Sequence, residues 1–314
     1  MDIYSDHMVR NYERNGIPLE RIDNTAFMVG KTGTCYGRGT AAWKGMLVLS
    51  LGRGNLMNTY YGNLELIDNA KAKWFAKAQK LFLPLQEGGR FTTFGGVPGK
   101  SEGYGYTALG TCGALQTVVN PSQSVMKVEL PALAGVQGKR ILFSDSGFKP
   151  LLKGSAVVLG PEQLCVVGRG EYASAMYELG VEEDVQIPFS IKKLDVKFKA
   201  DGSKSISCTM KPPAMGCLRI VMKQHERGIA FRTTGGCPPN GRPMGQILSI
   251  SVEQAGKKVS VVKQYDKAIW SGLSWAVAEV KASDLKPGVP LKIVCSTEEK
   301  WAVSLVGEIY SIVK

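Results

Sequence analysis

Histidine is nearly absent from this chain of 314 residues, which contains only His7 and His225. Two histidines leave little room for a histidine metal centre or a Ser-His-Asp triad, and the G-x-S-x-G sequence of a nucleophile elbow is also missing. We therefore expect no metal and no cofactor. No apolar run approaches the roughly 20 residues that a membrane-spanning helix needs, so we expect no membrane span. The opening residues mix charges of both signs, which is typical of neither a signal peptide nor an anchor, and the compartment stays open.

Cysteine is sparse, and its spacing in the sequence forms no paired motif. The chain has 7 cysteines and no C-x-x-C pair, which argues against zinc ribbons and thioredoxin-type redox motifs. An odd number in a long chain favours reduced, buried thiols. If the protein is exported, Cys208 could pair with Cys217, and Cys237 with Cys295.

Complete nucleotide-binding motifs are also missing. The stretch from Gly95 to Ser101 (GGVPGKS) is one residue short of a phosphate-binding loop, and Gly30-Lys31-Thr32 has no glycine at position 25. Neither Gly37-Arg-Gly39 nor Gly103-Tyr-Gly105 continues as G-x-G-x-x-G. The sequence therefore predicts neither a mononucleotide nor a dinucleotide site.

Positive charge is in excess, but only in the last part of the chain. The net charge of +12 comes from 39 basic and 27 acidic residues. Residues 1–184 contain 19 basic and 17 acidic side chains, whereas residues 185–314 contain 20 and 10. This shift indicates a boundary between modules near residue 184.

The first 90 residues alternate between helical and strand patterns, which is typical of parallel β/α units. The pattern predicts, in order, a helix over 2–15, a strand over 25–29, a Gly-rich loop over 30–39, a helix that Thr40 caps, a strand over 57–67, and a helix that Asp68 caps and Pro84 ends.

The rest of the chain is a series of short strand patterns separated by turns, which favours antiparallel sandwiches. Strands are predicted over 104–109, 114–119, 124–130, 139–143, 155–159, 163–167, 196–200, 204–208, 247–253, 258–263, 291–295, 301–306 and 309–313. Asp201-Gly202 and Ala255-Gly256 are predicted hairpin turns. We therefore expect an α+β fold that is mostly β. Its three domains are a β/α segment over 1–92, an antiparallel sandwich over 93–180 and a basic, jelly-roll-like sandwich over 185–314.

The loops after the first two strands contain a group of polar side chains. Lys31, Tyr36 and Arg38 follow the first strand, and Asn63 and Glu65 come at the end of the second. Loops after neighbouring parallel strands share one face of an α/β barrel, where cations, hydroxyls and amides suit the hydroxyls of a sugar. The alternative is a tight strand-to-helix turn with a solvated Arg38.

Three stretches of this N-terminal segment resemble the end of the catalytic (β/α)8 barrel of α-galactosidase-like glycoside hydrolases. They are Asp23-Asn-Thr-Ala-Phe-Met-Val-Gly-Lys-Thr-Gly-Thr-Cys35-Tyr36, Asn58-Thr-Tyr-Tyr-Gly-Asn-Leu-Glu65 and the helix around Trp74. Gly103-Tyr-Gly-Tyr106, Val118-Val-Asn-Pro121 and Leu164-Cys-Val-Val-Gly-Arg-Gly-Glu-Tyr172 resemble the β domain that follows such barrels. The resemblance covers residues 20–175.

The resemblance implies a piece of a larger enzyme, because only two β/α units precede the β modules. Retaining glycosidases need two carboxylates about 5 Å apart, and in this family they come from earlier strands. Asp23, Glu65 and Asp68 are the only well-placed acids here, and helix capping for Asp68 and a surface position for Glu65 are the simpler interpretations. Whether the chain is an enzyme by itself stays open.

The basic C-terminal module contains several tryptophans, and Trp270 is the candidate for stacking on a sugar ring. The leading hypothesis is the C-terminal portion of a glycoside hydrolase whose β domains bind glycan. Its partners would be a carbohydrate and the remainder of a barrel or another subunit. The alternative is a non-catalytic polysaccharide-binding or structural β protein whose basic module meets an acidic polymer. Nucleic acid is the less favoured polymer, because the lysines are spread over hairpins rather than clustered.

Overall fold

The computed structural model describes residues 3–29, 43–54, 57–62, 64–98, 102–122, 125–145, 149–160, 163–181, 190–226, 248–263, 275–298 and 302–313. These residues form two compact units, 3–181 and 190–313. As predicted, the fold is α+β and mostly β, with a short β/α segment followed by two antiparallel sandwiches. The division into three domains stays a prediction.

The β/α segment contains a parallel pair of strands and three helices. The helices are α1 (Ile3–Arg14), α2 (Trp43–Gly52) and α3 (Asn69–Gly88), and the strands are β1 (Asp23–Val29) and β2 (Met57–Gly62). β1 and β2 are parallel, and α2 lies between them in the chain, so the predicted β/α order is present. The second strand is shorter than predicted, because Gly62 adopts a φ of +112° and residues 64–66 turn into a 3-10 helix.

The predicted end of α3 at Pro84 is wrong. The helix continues to Gly88, with Pro84 exposed on its surface. A proline inside a helix removes one backbone hydrogen bond. Burial of Leu81, Phe82 and Leu85 on either side of it holds both turns in place.

The first sandwich packs a six-stranded sheet, ordered β11-β7-β10-β5-β4-β3, against a three-stranded sheet, ordered β6-β9-β8. The strands are β3 (Arg90–Gly95), β4 (Tyr104–Leu109), β5 (Gly113–Asn120), β6 (Met126–Glu129), β7 (Lys139–Ser144), β8 (Leu151–Lys153), β9 (Ala156–Leu159), β10 (Gln163–Gly170) and β11 (Gly180–Val181). β3 is absent from the sequence prediction. The core between the sheets comprises Val118, Val128, Leu130, Val157, Leu159, Cys165 and Val167.

Helix α2 packs closely on the six-stranded sheet. Every residue of α2 except Lys44 is buried. A Cβ at Gly52 would lie 2.4 Å from Oγ1 of Thr117 in β5, so glycine is needed for this approach. The indole of Trp74 in α3 donates a hydrogen bond to the Leu179 carbonyl at 2.9 Å. These contacts make the β/α segment and the first sandwich one compact unit.

The free edge of β3 is covered by side chains of the N-terminal segment. Carboxylate oxygens of Glu13 and Glu20 accept hydrogen bonds from the N–H groups of Thr93 (2.9 Å) and Phe91 (2.7 Å). The guanidinium of Arg10 donates to the carbonyls of residues 94 and 95 at 3.2 and 2.5 Å. Edge strands expose backbone groups that can pair with another chain, and these three side chains occupy them.

The second sandwich contains two five-stranded sheets, ordered β12-β21-β15-β19-β18 and β13-β14-β20-β16-β17. The strands are β12 (Ser190–Leu194), β13 (Lys199–Ala200), β14 (Ser205–Met210), β15 (Cys217–Glu226), β16 (Leu248–Gln254), β17 (Lys257–Val259), β18 (Val262–Lys263), β19 (Trp275–Val280), β20 (Leu291–Thr297) and β21 (Ala302–Val313). Both predicted hairpin turns are present, with φ of +71° at Gly202, +51° at Ala255 and +72° at Gly256.

Four strand predictions in this sandwich are wrong in their bounds. The strand predicted over 196–200 is shorter, because β13 begins at Lys199. The strand predicted over 258–263 is two strands, β17 and β18, which belong to different sheets. The strands predicted over 301–306 and 309–313 are one strand, β21. Gly307 does not interrupt β21. A Cβ at this position would lie 2.5 Å from the ring of Phe198, so the glycine makes room for that ring.

The described cysteines are free. Cys165, Cys208 and Cys295 are buried, as the reduced-thiol prediction requires, and Cys112 is exposed. The Cys208–Cys217 disulfide suggested for an exported protein is wrong, since both thiols are free. Cys295 is also free, and its suggested partner, Cys237, lies outside the described residues.

Candidate functional site

Most of the predicted sugar-binding residues lie outside the described part of the chain. These are Lys31, Tyr36, Arg38, Asn63 and Trp270. Glu65 is described, and its exposed side chain belongs to the 3-10 helix that follows β2 rather than to a strand. The predicted sugar site therefore stays a prediction.

Asp68 has the structural role that the sequence favoured. Its carboxylate caps α3, accepting a hydrogen bond from the Lys71 N–H at 2.9 Å, and it also pairs with the Lys71 ammonium. The two hydrogen bonds from Lys71 lower the pKa of Asp68, and the one from the Lys71 side chain has the larger effect. The carboxylate is thus ionised and occupied as a helix cap.

Asp23 and Glu65 are placed at opposite ends of the parallel strands. Asp23 begins β1 beside Met57, the first residue of β2, whereas Glu65 follows the last residue of β2. A strand rises about 3.3 Å per residue, so the six-residue β2 separates these acids by well over the 5 Å of a retaining pair. Asp23 and Glu65 therefore do not form a catalytic pair.

The first unit contains a buried cluster of polar side chains around Asp6 of α1. Asp6 and Arg53 have no exposed side-chain surface, and Nε of Arg53 donates to Oδ1 of Asp6 at 2.8 Å. The hydroxyl groups of Tyr104 and Tyr106 in β4 donate to the same carboxylate, at 2.5 Å to Oδ2 and 2.7 Å to Oδ1. One carboxylate thus connects α1, the end of α2 and β4.

Burial fixes the protonation of the two phenols. Desolvation, followed by the nearby charge of Asp6, raises the pKa of Tyr104 and of Tyr106 well above the ordinary value. Both phenols stay protonated and act as donors. Because each of these side chains is at most 1% exposed, the cluster is closed to substrate and serves to position the elements that it connects.

The sequence contains a partial signal for this cluster. Tyr104 and Tyr106 are two residues apart, so they project from the same face of a strand. Gly105 lies between them, and a Cβ at this position would be 2.4 Å from the ring of Phe94. Asp6 is 98 and 100 residues away from the two tyrosines, and no local pattern predicts such a contact.

Within the described ranges, no three His, Cys, Asp or Glu side chains are grouped to hold a metal ion. In the same ranges, no helix is long and apolar enough to cross a membrane.

Comparison with known proteins gives partial structural likenesses. No protein-family model matches the chain, and no curated protein matches it. Among solved structures, the isomaltulose synthase of Erwinia rhapontici NX5 is similar over 31% of this chain and 17% of its own, with 17% identity and a TM-score of 0.25.

Two further structures cover more of the chain. BuGH86wt in complex with neoagarooctaose is similar over 76% of this chain and 38% of its own, with 14% identity and a TM-score of 0.25. BpGH86A, a β-porphyranase of glycoside hydrolase family 86 from Bacteroides plebeius, is similar over 67% and 36%, with 13% identity and a TM-score of 0.24. This chain spans between 17% and 38% of the length of these three proteins.

Proposed function

We propose that the chain is the C-terminal portion of a carbohydrate-active enzyme, a glycoside hydrolase similar to the α-galactosidases. The observation that carries the proposal is the parallel pairing of β1 with β2, with α2 between them in sequence and an antiparallel sandwich after them. The described parts of the stretches that resemble the end of an α-galactosidase-like barrel and its β domain include β1, most of β2, and parts of β4, β5 and β10.

The chain by itself does not hydrolyse glycosides in this proposal. Asp23 and Glu65 are too far apart for a retaining pair, and Asp68 is occupied as a helix cap. The parallel sheet of the described residues has two strands, so each strand has one edge without a strand partner there. Parallel sheets are normally larger and covered on both faces. The remainder of a barrel, or another subunit, would supply the missing strands and the carboxylates.

The β domains and the loops after β1 and β2 bind carbohydrate in this proposal. Lys31, Tyr36, Arg38, Asn63 and Glu65 would contact sugar hydroxyls. Trp270 would stack on the apolar face of a sugar ring.

Binding of the purified chain to a glycan microarray tests this proposal. We expect retention of neutral oligosaccharides at moderate salt, and about a tenfold loss of affinity on Trp270→Ala or Glu65→Gln, which is about 1.4 kcal/mol. Glu87→Gln on the exposed surface of α3 is the matched control and leaves affinity unchanged. Absence of retention, or equal losses in the control, contradicts the glycan site.

The alternative function is a non-catalytic protein whose basic module meets an acidic polymer, and one face of the second sandwich favours it. Lys199, Lys258 and Lys292 are exposed on the outer face of the sheet that contains β20, where Glu253 lies opposite Lys258 and Lys292. Inward neighbours such as Ile293 are buried. The outer face thus has more positive than negative side chains.

Retention on dextran sulfate and on DNA distinguishes the alternative. If it holds, replacing Lys199, Lys258 and Lys292 by serine lowers the salt concentration at which the chain elutes. The same replacement of Lys192, Lys211 and Lys281, which are also exposed, controls for net charge. Equal shifts for the two triple variants contradict a specific face. Stronger retention on DNA identifies nucleic acid as the polymer.

A further inference from the structure

The outer face of the sheet that contains β20 consists mostly of serine and lysine. We call it the hydroxyl face, and its members are Lys199, Ser205, Ser207, Thr209, Ser249, Ser251, Glu253, Lys258, Lys292, Val294 and Ser296. The residues that alternate with them along the strands, such as Ile206, Ile250 and Ile293, are buried in the core of the second sandwich. The hydroxyl face is therefore the solvent side of this sheet.

The strand register arranges the serines of the hydroxyl face in rows. In the first row, Ser296 of β20 pairs with Ser205 of β14 and with Ser249 of β16. In the second row, a serine lies on each side of Val294. Neighbouring strands are about 4.8 Å apart, and successive outward residues of one strand are about 6.7 Å apart. In the described structure, none of these serine hydroxyls is hydrogen-bonded to another protein group, so the rows present a regular grid of available hydroxyls.

Strand formation does not select serine at such positions. Exposed strand positions favour β-branched and aromatic residues, which pack over the pleated surface. Five of the eleven members of the hydroxyl face are serines and none is aromatic, so the side chains are short and a partner can come close to the backbone. A departure of this kind from local preference is expected where a surface has a function.

The charged side chains border the serine rows on two sides. Lys258 and Lys292 lie on either side of Glu253 in the third row, and Lys199 lies on β13 at the edge of the sheet. All four are exposed, and none of them forms an ion pair with another described residue. Glu253 offsets one of the three cations, so the hydroxyl face has a positive excess that complements an acidic ligand.

The combination of hydroxyls and cations matches an anionic polysaccharide. Serine hydroxyls donate and accept hydrogen bonds, as the hydroxyls of a sugar do, and ammonium groups pair with sulfate or carboxylate groups. A single-stranded nucleic acid fits less well, because its bases stack on aromatic rings, which the hydroxyl face lacks. A duplex is read by a helix or ribbon that enters a groove, and a broad sheet face cannot enter one.

We propose that the hydroxyl face binds an anionic polysaccharide that lies across β14, β20 and β16, with sugar hydroxyls contacting the serines and sulfate or carboxylate groups contacting Lys199, Lys258 and Lys292. The proposal rests on the alternative function above, to which it adds the class of polymer and the serine contacts. It does not depend on Trp270 or on the loops after β1 and β2.

Removing hydroxyls without changing the net charge tests the proposal. Biolayer interferometry measures binding of the full chain to dextran sulfate, carboxymethyl dextran and dextran, which share one backbone. We expect binding to the anionic polymers, and about a tenfold loss of affinity when Ser205, Ser249 and Ser296 are replaced together by alanine. The same replacement of Ser155, Ser174 and Ser283, which are exposed elsewhere, is the matched control and leaves affinity unchanged. Circular dichroism of every variant verifies folding.

The lysine variant described above separates failure of this proposal from failure of the alternative function. If the lysine variant binds dextran sulfate more weakly and the serine variant binds as the wild type does, a basic face is retained and the hydroxyl contacts are overturned. If neither anionic polymer binds, both are overturned. Equal binding of neutral dextran contradicts the role of charge, and tighter binding of a DNA duplex identifies nucleic acid and overturns the polysaccharide. The tighter of the two anionic polymers identifies the charged group as sulfate or carboxylate.

Discussion

At the scale of single residues, the Asp6 carboxylate stabilises the first unit by connecting α1, the end of α2 and β4. It is the negative partner of Arg53, and both are fully buried. We expect Asp6→Asn to lower the free energy of unfolding by about 3–5 kcal/mol, because it leaves the guanidinium buried without the carboxylate charge. Urea denaturation measures the change. The exposed Asp195→Asn variant, expected within about 0.5 kcal/mol of the wild type, is the control.

The same cluster makes the stability of the folded protein fall at alkaline pH. The pKa values of Tyr104 and Tyr106 are raised well above 10.0, mainly by desolvation. Between the unfolded pKa and the raised pKa, the folded state retains protons that the unfolded state has lost, so stability falls as the pH rises. We therefore expect the denaturation midpoint to decline above about pH 10.

The variant Tyr104→Phe isolates this effect. The decline of its midpoint above pH 10 should be shallower than that of the wild type, because one raised pKa has been removed. Tyr12→Phe, at a site 38% exposed, should decline as the wild type does. Parallel curves for wild type and Tyr104→Phe would show that this phenol does not contribute.

Thiol reactivity should separate the exposed Cys112 from the three buried cysteines. Desolvation raises the pKa of Cys208 to about 11 and that of Cys295 to about 12, and raises that of Cys165 further. At pH 8 we expect iodoacetamide to label the exposed Cys112 and to leave these three unlabelled, as read by peptide mass spectrometry. All four should react in urea. Labelling of Cys165 in the folded protein would contradict its burial.

At the scale of elements, the glycines of α2 set its distance from the sheet. We expect Gly52→Ala to lower the free energy of unfolding by about 1–3 kcal/mol, because the new Cβ would lie 2.4 Å from Oγ1 of the buried Thr117. Gly88→Ala in α3 is the control, since nothing lies within 4 Å of its added Cβ. That variant should be neutral or slightly stabilising. Thermal denaturation followed by tryptophan fluorescence compares the two.

Elements were predictable where a local signal determines them. The Asp68 cap and the Asp201-Gly202 turn depend on neighbours in sequence, and both are present. The predictions at Pro84 and Gly307 were wrong for the opposite reason, since each residue looks like a break in the sequence. Burial of the residues around Pro84 keeps α3 continuous, and the ring of Phe198, distant in sequence, explains the glycine inside β21. Such contacts are not encoded in a local window.

The candidate site was less predictable than the fold. The acids of the β/α segment could be identified by type, but only the register of β1 against β2 shows that Asp23 and Glu65 lie at opposite strand ends. The Asp6 cluster arises from residues far apart in sequence, which composition and motif spacing cannot bring together.

At the scale of the whole molecule, the two compact units should respond separately to mutation. The second unit has its own core, which includes Ile220, Val252 and Ile293, and Phe198 packs against it over Gly307. We expect Gly307→Ala to lower the midpoint of one thermal transition and Gly52→Ala to lower the midpoint of another. Hydrogen exchange of peptides from residues 3–181 and 190–313 assigns the transitions. A single transition that both variants shift equally would contradict independent units.

The covering of β3 by the N-terminal segment has a consequence for the protein in a crowded solution. Glu13 and Glu20 saturate backbone donors that would otherwise be free to recruit an identical strand from another molecule. The guanidinium of Arg10 occupies two carbonyls of the same edge, so a second copy that approached it would meet occupied acceptors as well as occupied donors. Three side chains near the start of the chain thereby disfavour strand addition at the β3 edge of the six-stranded sheet, which favours solubility whatever ligand the protein binds.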